Sequence, residues 1–137
     1  MPDYKYGRKS KAALITCSFD IQRVFQEAIK HRDVSILEGH RSNALQAEAL
    51  AKGTSKLGPG ESEHNLMPAK AVDAIPYPTT EEDWETRAFW IEWSSWIKGL
   101  ATGMGVTLIS GYDWDNDFDL DDQKFYDGPH FEEQKDA

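Results

Sequence analysis

After Ser18 the apolar positions Ile21, Val24, Phe25, Ala28 and Ile29 recur at three- and four-residue steps. That spacing predicts one helix with a single buried stripe, capped by Ser18 or Asp20. Val34-Ser35-Ile36-Leu37-Glu38 then alternates as a strand leading into Gly39-His40-Arg41. Ser42 is placed to cap a second helix, because Ala44 to Lys52 are strong helix formers and Gly53 stands where a left-handed terminator belongs. Thr54 to Glu61, with Gly58-Pro59-Gly60, reads as a loop that breaks regular structure before Ser62. Ala71-Val72-Asp73-Ala74-Ile75 alternates again, and Pro76 and Pro78 stop this strand from pairing further.

The longest predicted helix follows, capped by Thr79 or Thr80, with Glu81, Glu82 and Asp83 in its first turn, where negative charge is favoured. Phe89, Trp90, Trp93, Trp96, Ile97 and Leu100 give it a wide apolar stripe. A tryptophan row with Trp84 would also suit sugar rings, but helical spacing favours core packing. Gly99, Gly103 and Gly105 bring the helix to its end, and Val106 to Ser110 forms a strand opening into Gly111-Tyr112-Asp113-Trp114. Residues 1–18 show no clear periodicity. Helices and strands alternate in an order that suits an α+β domain, a small, mainly antiparallel sheet with helices packed on one face.

Composition narrows the function classes. At 137 residues, 39% of them apolar, the chain fits one globular domain over residues 1–137 with its own core. No apolar run approaches a membrane span, so no membrane insertion is expected. The net charge of −9 argues against nucleic acid, which demands clustered cations. The N-terminal residues carry basic side chains but no apolar secretory stretch, so synthesis in a cytosol is expected. Cys17 is the sole cysteine, which excludes an internal disulfide and a thiolate metal site; it reads as a small buried residue.

The candidate chemistry lies in Ser62-Glu63-His64 running to Asp73, and in Asp127-Gly128-Pro129-His130. Two histidines and two aspartates are the ligand types zinc takes when thiolates are absent, and they would supply three ligands and one base. The competing reading is ordinary hydrogen-bonded histidines. Arg41, just past a strand, would reach a cleft with its planar fork or lie on the surface.

These motifs resemble the zinc peptidases that cleave peptidoglycan stem peptides, D-Ala-D-Ala carboxypeptidases and phage L-alanyl-D-glutamate endopeptidases. The family pattern is Ser-x-His, a glycine-containing spacer, Ala-x-Asp, and later Asp or Glu-x-x-His. Gly39-x-Arg41 with Gln46, Gly53-x-Ser55 and Gly111-x-Asp113-Trp114-Asp115 agree in the same order, so the likeness runs from about residue 20 to residue 132. Asp73 lies nine positions after His64, a longer spacing than the family's usual one, with Leu66-Met67-Pro68 near where a glycine is expected.

The resemblance implies a zinc site on the sheet, held by His64, Asp73 and His130, with Asp127 as general base. It further implies that Arg41 holds the scissile carbonyl or its oxyanion and that Ser62 hydrogen-bonds substrate or a ligand. His40 falls outside the pattern. Residues 1–18 correspond to a docking segment in such enzymes.

The implied reaction is amide hydrolysis in a peptidoglycan stem peptide by a monomeric, single-domain phage endolysin. It would be made in the host cytoplasm and reach the wall after membrane permeabilisation. A D-Ala-D-Ala carboxypeptidase or dipeptidase is the alternative within the family. A non-catalytic acidic phage protein that mimics nucleic acid or sequesters Ca²⁺ is the alternative outside it. Within the loop 111–126, Asp113, Asp115, Asp117 and Asp119 alternate like the first oxygen ligands of a calcium loop. Phe118 stands at the sixth position, where an EF-hand has glycine, so the expectation divides between a non-EF-hand Ca²⁺ site and a solvated acidic loop.

Overall fold

The computed structural model describes residues 3–121 and 126–135. Ser18 caps α2 (Phe19–Ala28), its hydroxyl accepting from the Ile21 amide at 3.3 Å. The stripe of α2 is buried as predicted: Ile21, Val24, Phe25 and Ala28 are all inaccessible to solvent. Strand β1 is Val34–Glu38 and α3 is Asn43–Lys52, capped by Ser42 and ended by Gly53 in the left-handed conformation. Strands β2 (Ala71–Pro76), β3 (Leu108–Gly111) and β4 (Asp127–Glu133) complete a four-stranded sheet in the order β1-β2-β4-β3, antiparallel throughout.

Two elements differ from expectation. Residues 8–14 form a helix, α1 (Arg8–Leu14), against β1. It shows no apolar stripe because one of its two buried residues is Ser10, whose hydroxyl accepts from the Ile36 amide at 3.0 Å. Tyr6 adds a 2.6 Å bond to the Phe25 carbonyl, which ties the chain ahead of α1 to α2.

The long tryptophan helix is divided. Thr80 caps a short α4 (Glu81–Trp84) through a reciprocal pair of bonds with Asp83, the chain breaks at Thr86, and α5 runs Arg87–Gly103. The Trp90 indole donates to the Trp84 carbonyl at 3.2 Å, which satisfies an acceptor left over where α4 ends.

One face of the sheet carries the core. Val72 and Ala74 of β2 and Phe131 of β4 meet Phe25 of α2 and Trp93 and Ile97 of α5. Trp93 is fully buried and donates its indole N–H to the Ala74 carbonyl at 3.0 Å, so a polar atom in the apolar layer is satisfied. Truncating such a residue to alanine typically costs about 3–5 kcal/mol. The opposite face is left for the polar residues that alternate with this core.

Candidate metal centre and active site

Register across the sheet sets a row of polar side chains. Glu38 of β1 pairs with Asp73 of β2, and Asp73 pairs with His130 of β4. Alternation turns Asp73 away from the core that takes Val72 and Ala74, and does the same for His130 beside Phe131.

His64 comes from the loop opposite. Ser62 caps a 3₁₀ turn, Glu63–Asn65, with Asn65 bonding back to the Ser62 amide. The His64 carbonyl accepts from the Arg41 amide at 2.7 Å, and Asn65 donates to the Arg41 carbonyl at 2.9 Å. Two short segments are thereby locked side by side. The longer spacing from His64 to Asp73 is absorbed by a turn that exposes Leu66 and Met67 before Ala69 bridges to Cys17. His40 bonds the Leu66 carbonyl at 3.0 Å and braces this turn.

Three ligand atoms converge. His64 Nε2 lies 3.1 Å from Asp73 Oδ1 and 3.3 Å from His130 Nδ1, and His130 Nδ1 is 3.2 Å from Asp73 Oδ1. Each imidazole has a hydrogen-bond acceptor behind it. His64 Nδ1 is 2.7 Å from the Gly39 carbonyl, and His130 Nε2 is 2.8 Å from Glu132 Oε1. Acceptors there hold the ring protons on the outer nitrogens and turn both inner lone pairs toward Asp73. Two lone pairs and a carboxylate oxygen repel one another unless a cation lies among them. Two nitrogens and one oxygen therefore make a donor set that fits a catalytic metal with an open position.

Without a metal, protons do that work. Burial opposes charge on His130, but Asp73 and Glu132 outweigh it and push the imidazole up to about 10. Burial likewise works against the Asp73 anion, yet hydrogen bonds from His130 and His64 hold it well below the usual carboxylate range.

Asp127 opens β4. Gly111 pairs with Asp127 rather than with His130, so the intervening residues bulge from the ladder and Asp127 faces the same cleft as His130. Gly128 permits this path, because a Cβ there would run into the Trp90 ring. Burial, then the nearby Asp73 charge, push the Asp127 carboxyl up to about 6. Arg41 donates to Glu38 through Nε and Nη2 and to Gln46 Oε1 through Nη1 at 2.9 Å, and holds Nη2 3.7 Å from Asp73 Oδ2. Ser62 is buried, its hydroxyl accepting from the His64 amide at 3.1 Å. Arg41, Ser62, His64, Asp73, Asp127 and His130 all line one cleft of about 700 Å³.

The fold also brings in residues the sequence reading had not assigned. Glu132 was legible, since positions 130 and 132 of a strand share a face. The Gly39 carbonyl was not, being a backbone atom; a Cβ at Gly39 would strike the Ala13 carbonyl and Thr16 in the closely packed helix α1 and the turn after it. Trp114 lies against His130 with ring centres 4.9 Å apart, and the exposed Trp84 faces the cleft while Trp90 and Trp93 are core.

In the acidic loop, one carboxylate oxygen each from Asp113, Asp115 and Asp117 lies within 4.8 Å of the others. Asp113 is buried and takes the Lys98 ammonium at 3.3 Å together with the Phe118 amide at 2.9 Å. Asp119 lies outside that group and accepts from the Asp121 amide at 3.0 Å.

The family model for the phage L-alanyl-D-glutamate peptidase matches residues 2–133. The chain belongs to that family. No curated protein matches it. Among solved structures, the L-Ala D-Glu endopeptidase ChiX of Serratia marcescens superposes with a TM-score of 0.71 at 23% identity, covering 96% of this chain and 92% of that one. The neighbour supports the α+β fold, and family membership makes the chain a peptidase of the peptidoglycan-acting type. No helix among the described residues is long and apolar enough to cross a membrane.

Proposed function

We propose that this peptidase is a zinc-dependent L-alanyl-D-glutamate endopeptidase that cuts the peptidoglycan stem peptide as a phage endolysin. In this reading it is made in the host cytoplasm, acts as a monomer, and reaches the wall after membrane permeabilisation. The observation that carries the reading is the convergence of His64 Nε2, Asp73 Oδ1 and His130 Nδ1 within 3.3 Å, each imidazole backed by its own acceptor. Two imidazoles, one carboxylate and an open position suit zinc. When bound, the ion supplies Lewis acidity that polarises the scissile carbonyl and favours ionisation of a neighbouring water.

The remaining steps fall to this chain's residues. Asp127, raised to about 6, is largely ionised at neutral pH and basic enough to accept the water's proton. It then delivers that proton to the departing D-glutamate nitrogen as the amide bond breaks, so the carboxylate is regenerated. Arg41 is held by Glu38 and Gln46 with one face toward Asp73, where it steadies the ligand and donates to the developing oxyanion. The Ser62 hydroxyl accepts from the His64 amide and directs its own hydrogen to substrate. Ca²⁺ at Asp113, Asp115 and Asp117 is proposed as a competitor of Lys98 for the Asp113 carboxylate.

Digestion of purified muropeptides, with the new termini identified, tests the assignment. A free L-alanine carboxyl and a free D-glutamate amine are expected. Released D-alanine would replace it with the carboxypeptidase reading. Protein that binds no zinc and cuts nothing would leave only an acidic non-catalytic protein.

A further inference from the structure

We propose that the corner formed by α1 and the start of α2 docks on an anionic phospholipid surface, its cations meeting headgroups and its apolar side chains entering just beneath them. The chain carries a net charge of −9, yet residues 5–19 hold Lys5, Arg8, Lys9 and Lys11 and no acidic residue. At 3.6 residues per turn, positions 8, 11, 12 and 15 fall within about 100° of one another on a helix. Arg8, Lys11, Ala12 and Ile15 are all exposed, while Ser10 and Leu14 are buried against the protein. The outer stripe of α1 is therefore basic at its start and apolar at its end.

That apolar end is larger than one side chain. Ile15, Phe19 and Met67 are 73%, 76% and 67% exposed. Thr16 gathers the segments that carry them. Its carbonyl accepts from the Ala69 amide at 2.9 Å, its hydroxyl accepts from the His40 amide at 2.8 Å, and the His40 ring bonds the Leu66 carbonyl. The Ser18 amide donates to the Ala69 carbonyl at 2.8 Å, so the turn bearing Leu66 and Met67 is fastened alongside residues 15–19.

Charge decides what kind of surface fits. Among the described residues, Arg8, Lys9 and Lys11 enter no ion pair, whereas Lys5 lies 3.7 Å from Asp3. The depression beside Leu66 holds Asp20, Glu63 and Glu133, together with Lys70 and Lys135. Asp20 takes Arg23 at 3.1 Å, a guanidinium that also lies over the Phe19 ring, and Glu63 takes Lys135 at 3.1 Å. Glu133 has Lys70 in the same depression, so the three cations of α1 are left over. A soluble polyanion would answer those charges and leave Ile15, Phe19 and Met67 in water. An anionic bilayer takes both, headgroups for the cations and the acyl boundary for the apolar ends. The acidic remainder of the chain is screened beyond about 8 Å at physiological salt.

The test is co-sedimentation of the full chain with vesicles of phosphatidylglycerol and phosphatidylcholine in equal parts, beside vesicles of phosphatidylcholine alone. Binding is expected to the anionic vesicles only, and is lost as NaCl rises from about 0.05 to about 0.5 M. A cation near such a surface contributes about fivefold in affinity, so Arg8→Glu/Lys11→Glu should weaken binding by more than about 25-fold. Lys30→Glu/Lys52→Glu makes the same change in net charge elsewhere and should stay within about threefold. Ile15→Ser/Met67→Ser should weaken binding by about tenfold or more, since each immersed CH₂ is worth about fourfold.

Equal binding to neutral vesicles, equal losses in the two charge-reversed proteins, or no loss in Ile15→Ser/Met67→Ser overturns the proposal. Binding to heparin with none to vesicles overturns it as well. Should the Arg8→Glu/Lys11→Glu protein melt early, Arg8→Gln/Lys11→Gln is read in its place, with a loss of about 25-fold supporting the proposal and no loss overturning it. None of these readouts uses hydrolysis, so the outcome is independent of the reaction assigned above.

Discussion

Removing the Glu132 carboxylate should weaken zinc binding without touching a ligand. Its Oε1 lies 2.8 Å from His130 Nε2, and the His130 side chain is 8% exposed, so water can replace the lost acceptor only poorly. In Glu132→Ala the outer nitrogen loses its partner, the tautomer with Nδ1 free for metal is no longer favoured, and the ring can turn. Losing an orienting carboxylate behind a ligating histidine typically costs about 10- to 100-fold in metal affinity, or about 1.4–2.7 kcal/mol.

An opposing effect must be set against this. Glu132 also helps hold the competing proton on His130, so its removal eases metal entry at low pH. Burial apart, Asp73 is the larger cause of that raised basicity and remains in the variant. The comparison is therefore made as a pH series extended through about 10, where proton competition at His130 falls away, by titrating zinc against a chromophoric chelator. Glu132→Gln, which keeps an oxygen acceptor, should stay within about threefold of the unsubstituted protein, because orientation rather than charge is at stake. Unchanged zinc affinity in Glu132→Ala would refute the claim that this carboxylate sets the ring.

His64→Ala, Asp73→Ala and His130→Ala should each lose both bound zinc and hydrolysis; elemental analysis showing full zinc with normal activity in one of them removes that residue from the ligand set. Asp127→Asn should keep zinc while hydrolysis falls by about 10²–10⁴-fold, since an amide cannot take a proton from water; loss of the metal instead would make Asp127 a ligand. With a carboxyl raised to about 6 and a bound cation acting against that raise, the acid limb of the pH–rate profile should have its midpoint at or below about 6, and a midpoint well above 7 excludes Asp127 as the titrating base. Calorimetry should find Ca²⁺ binding the acidic loop no tighter than about 10⁻³ M, and more tightly once Lys98→Met releases Asp113; no heat in either protein leaves a solvated loop.

Much of this site was legible because strand periodicity and metal chemistry point to the same residues. Asp73 sits in an alternating run, and alternation alone turns it to the face opposite Val72 and Ala74. Helix α2 announced itself through its stripe and α3 through propensity. Helix α1 did not, since a buried serine serving a strand amide leaves no hydrophobic signature. The division between α4 and α5 was hidden for a related reason. Trp84 and Trp90 both fall in the span read as one helix, but Trp84 turns to the cleft and Trp90 lies beneath Gly128, a separation that depends on β4.

The acidic loop shows how one pattern can arise from two kinds of chemistry. Aspartates at alternate positions suggest oxygen ligands round a cation, yet the same spacing serves side chains that accept from amides two residues on. Asp117 accepts from the Asp119 amide at 2.8 Å, and Asp119 accepts from the Asp121 amide at 3.0 Å. Asp113 goes further, taking the Asp117 and Phe118 amides and the Lys98 ammonium, which also donates to Asn116 Oδ1 at 2.7 Å and lies over the Phe118 ring. A lysine nitrogen thus already partners the Asp113 carboxylate that a calcium ion would need. It comes from α5, about fifteen positions earlier in the chain, beyond the reach of any local spacing rule. At the histidine site the outer nitrogens have their own acceptors, the Gly39 carbonyl and Glu132, so the inner nitrogens face one another and Asp73, an arrangement that either bound protons or a cation would stabilise.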